Sequence, residues 1–189
     1  MSLLPSSVLS HLGINVKDID RMERFYVNVF GFAVSDRGVR FNGQKVVFMT
    51  KSADDHHQLV LLEGRPVAEI FNVVNQISFG LHSLEDLRSA VPLLKANGVE
   101  DIVQIDHGNS WSIYFKDPED NPIEVFVDTP FHTPQPCRGE LDLAQSAGSI
   151  LAQTEALCRS RPDFALRGEW QQAMSQRIQS TLQGGESHA

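Results

Sequence analysis

His11-Leu-Gly-Ile-Asn-Val16 decides the fold, because the chain returns to it 65 residues later as Gln76-Ile-Ser-Phe-Gly-Leu81. In the first copy Leu12, Ile14 and Val16 alternate with His11, Gly13 and Asn15, which is the two-residue period of a strand with one apolar face. The same shift lays Asp18–Phe30 over Ser83–Lys95, and Leu59-Val-Leu-Leu62 over Glu124-Val-Phe-Val127. Each copy reads strand, helix, strand, strand, strand. A duplicated unit sets equivalent strands on either side of a pseudo-twofold axis, so polar residues at matched positions can converge on one cavity. His11, Gln76 and Glu124 occupy such positions, and all three are metal-ligand types.

Around these strands the punctuation agrees. Met22, Phe25, Tyr26, Val29 and Phe30 recur at helical spacing, with Asp18 or Asp20 as the cap and Gly31 as the stop. Strands are expected over 32–36, 39–41 and 45–50, with Asn42-Gly43 turning between the last two, and over 58–62. A linker follows over 64–70. The second unit has a strand over 76–81, a Ser83 cap, and a helix face of Leu84, Leu87, Val91 and Leu94 ended by Asn97-Gly98. Strands over 102–105, 110–115 and 123–127 complete it, with Asp117-Pro-Glu-Asp-Asn121 as the last turn. The reading is an α+β chain with two tandem βαβββ units at 8–64 and 72–128, and a connector and helical extension at 129–189. In the extension Pro130, Pro134 and Pro136 precede helices over 146–159 and 168–182. Trp170, Met174, Ile178 and Leu182 form a stripe suited to packing on the open sheet or on a second subunit, with a lid over the cavity as the alternative.

A formal charge of −8, a pI near 5.3 and the lack of any basic run argue against a nucleic-acid partner. No run of 18 apolar residues predicts a membrane span, and the first residues do not read as a signal peptide. Two widely spaced cysteines, Cys137 and Cys158, form neither a disulfide framework nor a zinc motif. A cytoplasmic setting is expected.

Glu124 is the strongest chemical hint. It stands between Ile123 and Val125 in an apolar strand, where a lone carboxylate is costly to bury unless paired or metal-bound. Two histidines and a carboxylate on one face leave open positions on a divalent metal. Here the third position offers Gln76, a neutral oxygen donor. At a shift of 65 Leu59 matches Glu124, and at 66 Gln58 does, so the first unit supplies no carboxylate of its own. His56 and His57 would sit at the mouth of that strand, as solvated loop residues or as acid/base groups on the cavity rim. His107 is a candidate base, since imidazole titrates near neutrality. Tyr114, ten residues before Glu124 across a short turn, could hydrogen-bond a substrate oxygen.

Residues 11–18 (His-Leu-Gly-Ile-Asn-Val-Lys-Asp), Phe25-Tyr26 with Phe30-Gly31-Phe32, and residues 114–125 (Tyr-Phe-Lys-Asp-Pro-Glu-Asp-Asn-Pro-Ile-Glu-Val) resemble the vicinal oxygen chelate superfamily. That group contains the glyoxalases, the fosfomycin-resistance and bleomycin-binding proteins, and the type I extradiol dioxygenases. The resemblance implies a curled mixed sheet around a metal cavity. Residues 106–118 are most similar to small catechol or dihydroxybiphenyl dioxygenase-like members. Metal ligation at His11, Gln76 and Glu124 is then implied, with Tyr114 and His107 as catalytic groups. Fe(II) is the favoured metal, with Ni, Zn, Mn or Co as alternatives, and the partners are a small aromatic substrate and O2, in a homodimer. The family's second histidine falls on Gln76, and Asp120 replaces the usual turn glycine. A glyoxalase-type isomerase and a non-catalytic binding protein of the same fold are the alternatives, since one scaffold hosts many activities.

Overall fold

Alternation and capping organise the chain as anticipated. The structure, a computed structural model, describes residues 9–66 and 74–186, so most of the expected linker lies outside the described residues. The first unit is β1 (Leu12–Val16), α1 (Ile19–Phe30), β2 (Ala33–Val39), β3 (Lys45–Thr50) and β4 (Leu59–Glu63). The second is β5 (Ile77–Gly80), α2 (Leu84–Ala96), β6 (Val103–Asp106), β7 (Ser110–Lys116) and β8 (Pro122–Asp128). The extension adds β9 (Phe131–His132), β10 (Gly139–Glu140), α3 (Ala147–Arg159), β11 (Ala165–Leu166) and α4 (Arg167–Glu186). In each unit the first strand crosses over to run parallel to the last, giving sheet orders β1-β4-β3-β2 and β5-β8-β7-β6, with β10 on the β6 edge.

The caps come from the expected residues. Asp18 accepts the Arg21 amide at 2.9 Å, and Gly31 ends α1 at φ 69°, a left-handed angle that costs glycine little. Ser83 caps α2 by accepting the Asp86 amide. One expectation fails: the break between strands at 32–36 and 39–41 does not exist. β2 runs unbroken from Ala33 to Val39, with Phe41 in the turn. A register shift between Val34 and Asp36 carries the ladder through Ser35-Asp36-Arg37-Gly38. On an edge strand exposed on both sides, no alternation survives to mark that continuity. The two-residue strands β9, β10 and β11 were not expected, being too short to show a period.

Both units share one apolar core, built from the faces that carry α1 and α2. Phe30 of α1 lies 4.2 Å from Phe79 of β5, ring centre to ring centre. Polar clamps cross the same junction. Buried Tyr26 donates its hydroxyl to Asp117 at 3.1 Å. Glu119 accepts from the Lys17 amide at 2.7 and 2.9 Å and from the Asp18 amide at 2.7 Å. The acidic turn 117–121 is therefore the piece of the second unit that holds the entry to α1. Helix α3 docks through Thr154, which is fully buried, accepts from Trp111 Nε1 at 2.7 Å and donates to Asp106 at 2.6 Å. At the start of the α4 stripe Trp170 stacks on His132 at 4.9 Å, while Ile178 is exposed.

Candidate functional site

With the apolar faces turned to the shared core, the opposite faces of both sheets carry the polar residues. On β1 these are Gly13 and Asn15, with His11 just before the strand; on β5 they are Ser78 and Gly80, with Gln76 just before. Strand register corrects the pairing of the units. Gly13 lies beside Val60 and Ser78 beside Glu124, so the counterpart of Glu124 is Val60, neither Leu59 nor Gln58. The chain from first to last strand is one residue longer in the first unit, which a constant shift cannot accommodate. The first unit still lacks a carboxylate ligand there.

In the second unit four expected site residues come together. Glu124 is 7% exposed, and its carboxylate is held entirely by neutral donors. Ser78 Oγ donates to it at 2.6 Å, Gln76 Nε2 at 2.9 Å and the Tyr114 hydroxyl at 2.5 Å. The Tyr114 oxygen lies 2.9 Å from His107 Nε2, and His107 Nδ1 lies 2.7 Å from the Cys137 carbonyl. Alternation explains the grouping: Tyr114 and Glu124 are directly opposed across β7 and β8, and Ser78 is opposed to Glu124 across β5 and β8. Ser78 was missed in the sequence, although its place two residues after Gln76 marks it for the same face. Burial, and then the hydrogen bond to Glu124, push the Tyr114 phenol well above its ordinary pKa, so it remains a donor at neutral pH.

The Cys137 carbonyl can only accept, so His107 Nδ1 carries the hydrogen of that contact, and Nε2 is the nitrogen turned to the Tyr114 hydroxyl, which itself stands between the imidazole and the Glu124 carboxylate.

His11 is not in this group. It lines a separate concavity of about 410 Å³ made of first-unit residues, among them Arg40, Phe48, His57 and Val60. Its ring centre is 4.4 Å from that of His57, which in turn places Nδ1 2.9 Å from His56 Nδ1. Desolvation and the charges of His11 and His56 lower the pKa of His57, which keeps its imidazole neutral at pH 7 and able to take a proton. Among the described residues no three of His, Cys, Asp and Glu assemble into a metal-holding group. On the face that carries Glu124, the donor set offered to a metal is the Glu124 carboxylate plus the carbonyl oxygen of the adjacent Gln76, whose amide nitrogen is already used. That pair suits a hard divalent ion, but a catalytic centre takes about three protein ligands. One concavity alone is short of a ligand.

A paired βαβββ architecture with a carboxylate on the last strand defines a class that sequence comparison then names. The profile of the glyoxalase/bleomycin resistance protein/dioxygenase superfamily matches residues 8–125. The chain belongs to that superfamily. Among curated proteins it is 30% identical over 132 residues to biphenyl-2,3-diol 1,2-dioxygenase 2 of Rhodococcus globerulus, a match covering 66% of this chain. It is 29% identical over 135 residues to catechol-2,3-dioxygenase of Bacillus subtilis, again across 66% of this chain. The matches span 64% and 44% of those relatives' own lengths. Among solved structures, the fosfomycin resistance protein FosX of Listeria monocytogenes, complexed with Mn(II) and sulfate, superposes with a TM-score of 0.53 at 25% identity. The superposition covers 67% of this chain and 95% of FosX. A glyoxylase/bleomycin resistance protein/dioxygenase domain from Frankia shares the fold at TM-score 0.57 and 20% identity, covering 65% of this chain and 93% of that domain. No helix among the described residues is long and apolar enough to cross a membrane.

Proposed function

We propose that this protein is a metal-dependent dioxygenase that cleaves a catechol-like ring beside its hydroxyls, acting as a homodimer. The observation that carries the reading is the run Glu124–Tyr114–His107, a buried carboxylate linked through a phenol to an imidazole. The dioxygenase names of the curated relatives support it. Gln76 and Glu124 of one copy, with His11 of a second, make up a three-ligand set, which accounts for the two open concave faces of a single chain. A divalent metal bound there, with iron(II) favoured, would supply the Lewis acidity that makes both catechol hydroxyls easier to ionise and the ring reactive toward O2. The work of the chain is to position the ring and move protons. Tyr114 stays protonated and holds one substrate oxygen by hydrogen bond. His107 accepts the proton that leaves the substrate through Tyr114, with its own orientation fixed by the Cys137 carbonyl. His57, neutral beside His11, is a second proton acceptor facing from the opposite concavity. Phe48 and Val60 exclude water from the apolar ring edge.

The test is oxygen uptake by protein purified and loaded with iron(II) in the absence of air, screened with catechols. Uptake coupled to a ring-opened product is expected, abolished in His11→Ala and Glu124→Ala. Mixing those two inactive variants should restore about a quarter of the wild-type sites, because only heterodimers rebuild a complete set, one site in each. Activity of each variant alone would refute the ligand assignment, and a complete lack of oxygen consumption would refute the reaction. Gln76 favours a second reading, a glyoxalase-type isomerase, since it offers a neutral oxygen where the family's dioxygenases have histidine. That enzyme would turn over without oxygen.

A further inference from the structure

We propose that Arg138 forms an anion subsite beside the Tyr114–His107 pair, so that the substrate is an aromatic diol bearing a carboxylate. This deepens the dioxygenase reading and rests on it for the diol.

The connector lies beyond residues 8–125, the stretch that matches the superfamily. Residues 137–140 run along the edge of the second sheet. The Cys137 carbonyl meets His107 Nδ1, and β10 pairs with β6 with Gly139 opposite Asp106. Side chains alternate along such a segment. The Cys137 side chain is buried, and its Sγ lies 3.6 Å from where a Cβ on Gly108 would stand, next to the Cys158 sulfur of α3. A Cβ on Gly139 would meet the Leu157 side chain of α3 at 2.7 Å. Positions 137 and 139 thus face α3, and Arg138 between them is directed to the other side, the side of Tyr114. Its positive charge is felt there, where it opposes the rise in the Tyr114 pKa.

Arg138 is exposed, and among the described residues its guanidinium has no ion-pair partner. Five other arginines among the described residues, Arg37 on Glu23 and Arg167 on Asp128 included, take a carboxylate of this chain as partner. An unpaired guanidinium presents a rigid fork matched to a carboxylate. Across the face the order is Gln76 and Glu124, then Tyr114 with His107, then Arg138 immediately before the far edge strand β10. A ligand spanning it would place its two vicinal oxygens at the Glu124 end, one of them within reach of Tyr114, and its acidic group at Arg138.

The experiment is calorimetric binding to metal-loaded protein without oxygen, using 3,4-dihydroxybenzoate, the neutral 4-methylcatechol, and benzoate, which has the acid but no diol. Wild type, Arg138→Gln and Arg138→Lys are compared, with thermal melts to verify folding. Wild type should bind the acidic catechol about 2- to 5-fold more tightly than the neutral one, the range of a solvent-exposed ion pair. Arg138→Gln should erase that preference without weakening 4-methylcatechol, and Arg138→Lys should keep part of it. An unchanged preference in Arg138→Gln, or no preference in wild type, overturns the subsite while leaving the catechol reading intact. Arg138-dependent binding of benzoate with no binding of either catechol supports the subsite and sinks the dioxygenase reading. Binding of none of the three overturns both.

Discussion

Replacing Glu119 with alanine is expected to weaken the fold by releasing the start of α1 from the acidic turn. The Glu119 carboxylate is 5% exposed, and it takes the amides of Lys17 and Asp18 at 2.7 to 2.9 Å. Arg65 reinforces it, with Nη1 3.8 Å from Oε2 and donating to the Glu119 carbonyl and Asn121. Hydrogen bonds to a charged acceptor contribute about 1.5–3 kcal/mol each, so two amide donors set an upper value of about 3–6 kcal/mol. Lys17 and Asp18 are exposed residues, and water can reach part of what alanine vacates, which lowers the expected loss to about 2–4 kcal/mol. Glutamine keeps one acceptor and loses the charge, and should cost about half as much. Urea unfolding of metal-free protein reads this directly, as a fall in midpoint at constant slope for Glu119→Ala. A loss below about 0.5 kcal/mol, the scale of an ordinary surface substitution, would refute the idea that this carboxylate clamps the two units.

Alkaline titration offers another test. The chain has two tyrosines, and both are shifted up: Tyr26 by burial and then by Asp117, Tyr114 by burial and then by Glu124. Tyrosinate absorbance should therefore stay absent near pH 10 in native protein and appear only with unfolding. Between pH 10 and the folded values the unfolded chain has released protons that the native state retains, so stability falls as pH rises through that range. A normal titration of either residue below pH 10.5 or so would contradict the buried hydrogen bonds. The two thiols give a third check. Cys137 is 3% and Cys158 0% exposed, and burial pushes the Cys158 thiol up to about 11. Neither should react with a thiol reagent at pH 7.5 until denaturant is added, and rapid native labelling would mean that the extension does not pack on β6 as described.

Sequence alone determined the local chemistry of this protein. Alternation in 11–16 and 76–81, helical spacing in α1 and α2, and the short-range capping by Asp18 and Ser83 depend on residues a few places apart, and the structure contains each of them. The same short range brought Tyr114 to Glu124, since ten residues across a tight turn leave little freedom in register. What lay beyond reach were contacts whose partners are remote and whose positions depend on packing. Glu119 meets Lys17 across about a hundred residues, and the Cys137 carbonyl meets His107 only because a two-residue strand ties the connector to β6. Val60 as the counterpart of Glu124 depended on strand register, which one extra residue in a loop displaces. The largest decision was tertiary: burying the helix-bearing faces in one core turns the His11 face and the Glu124 face into separate concavities, because a sheet can give only one face to a shared core.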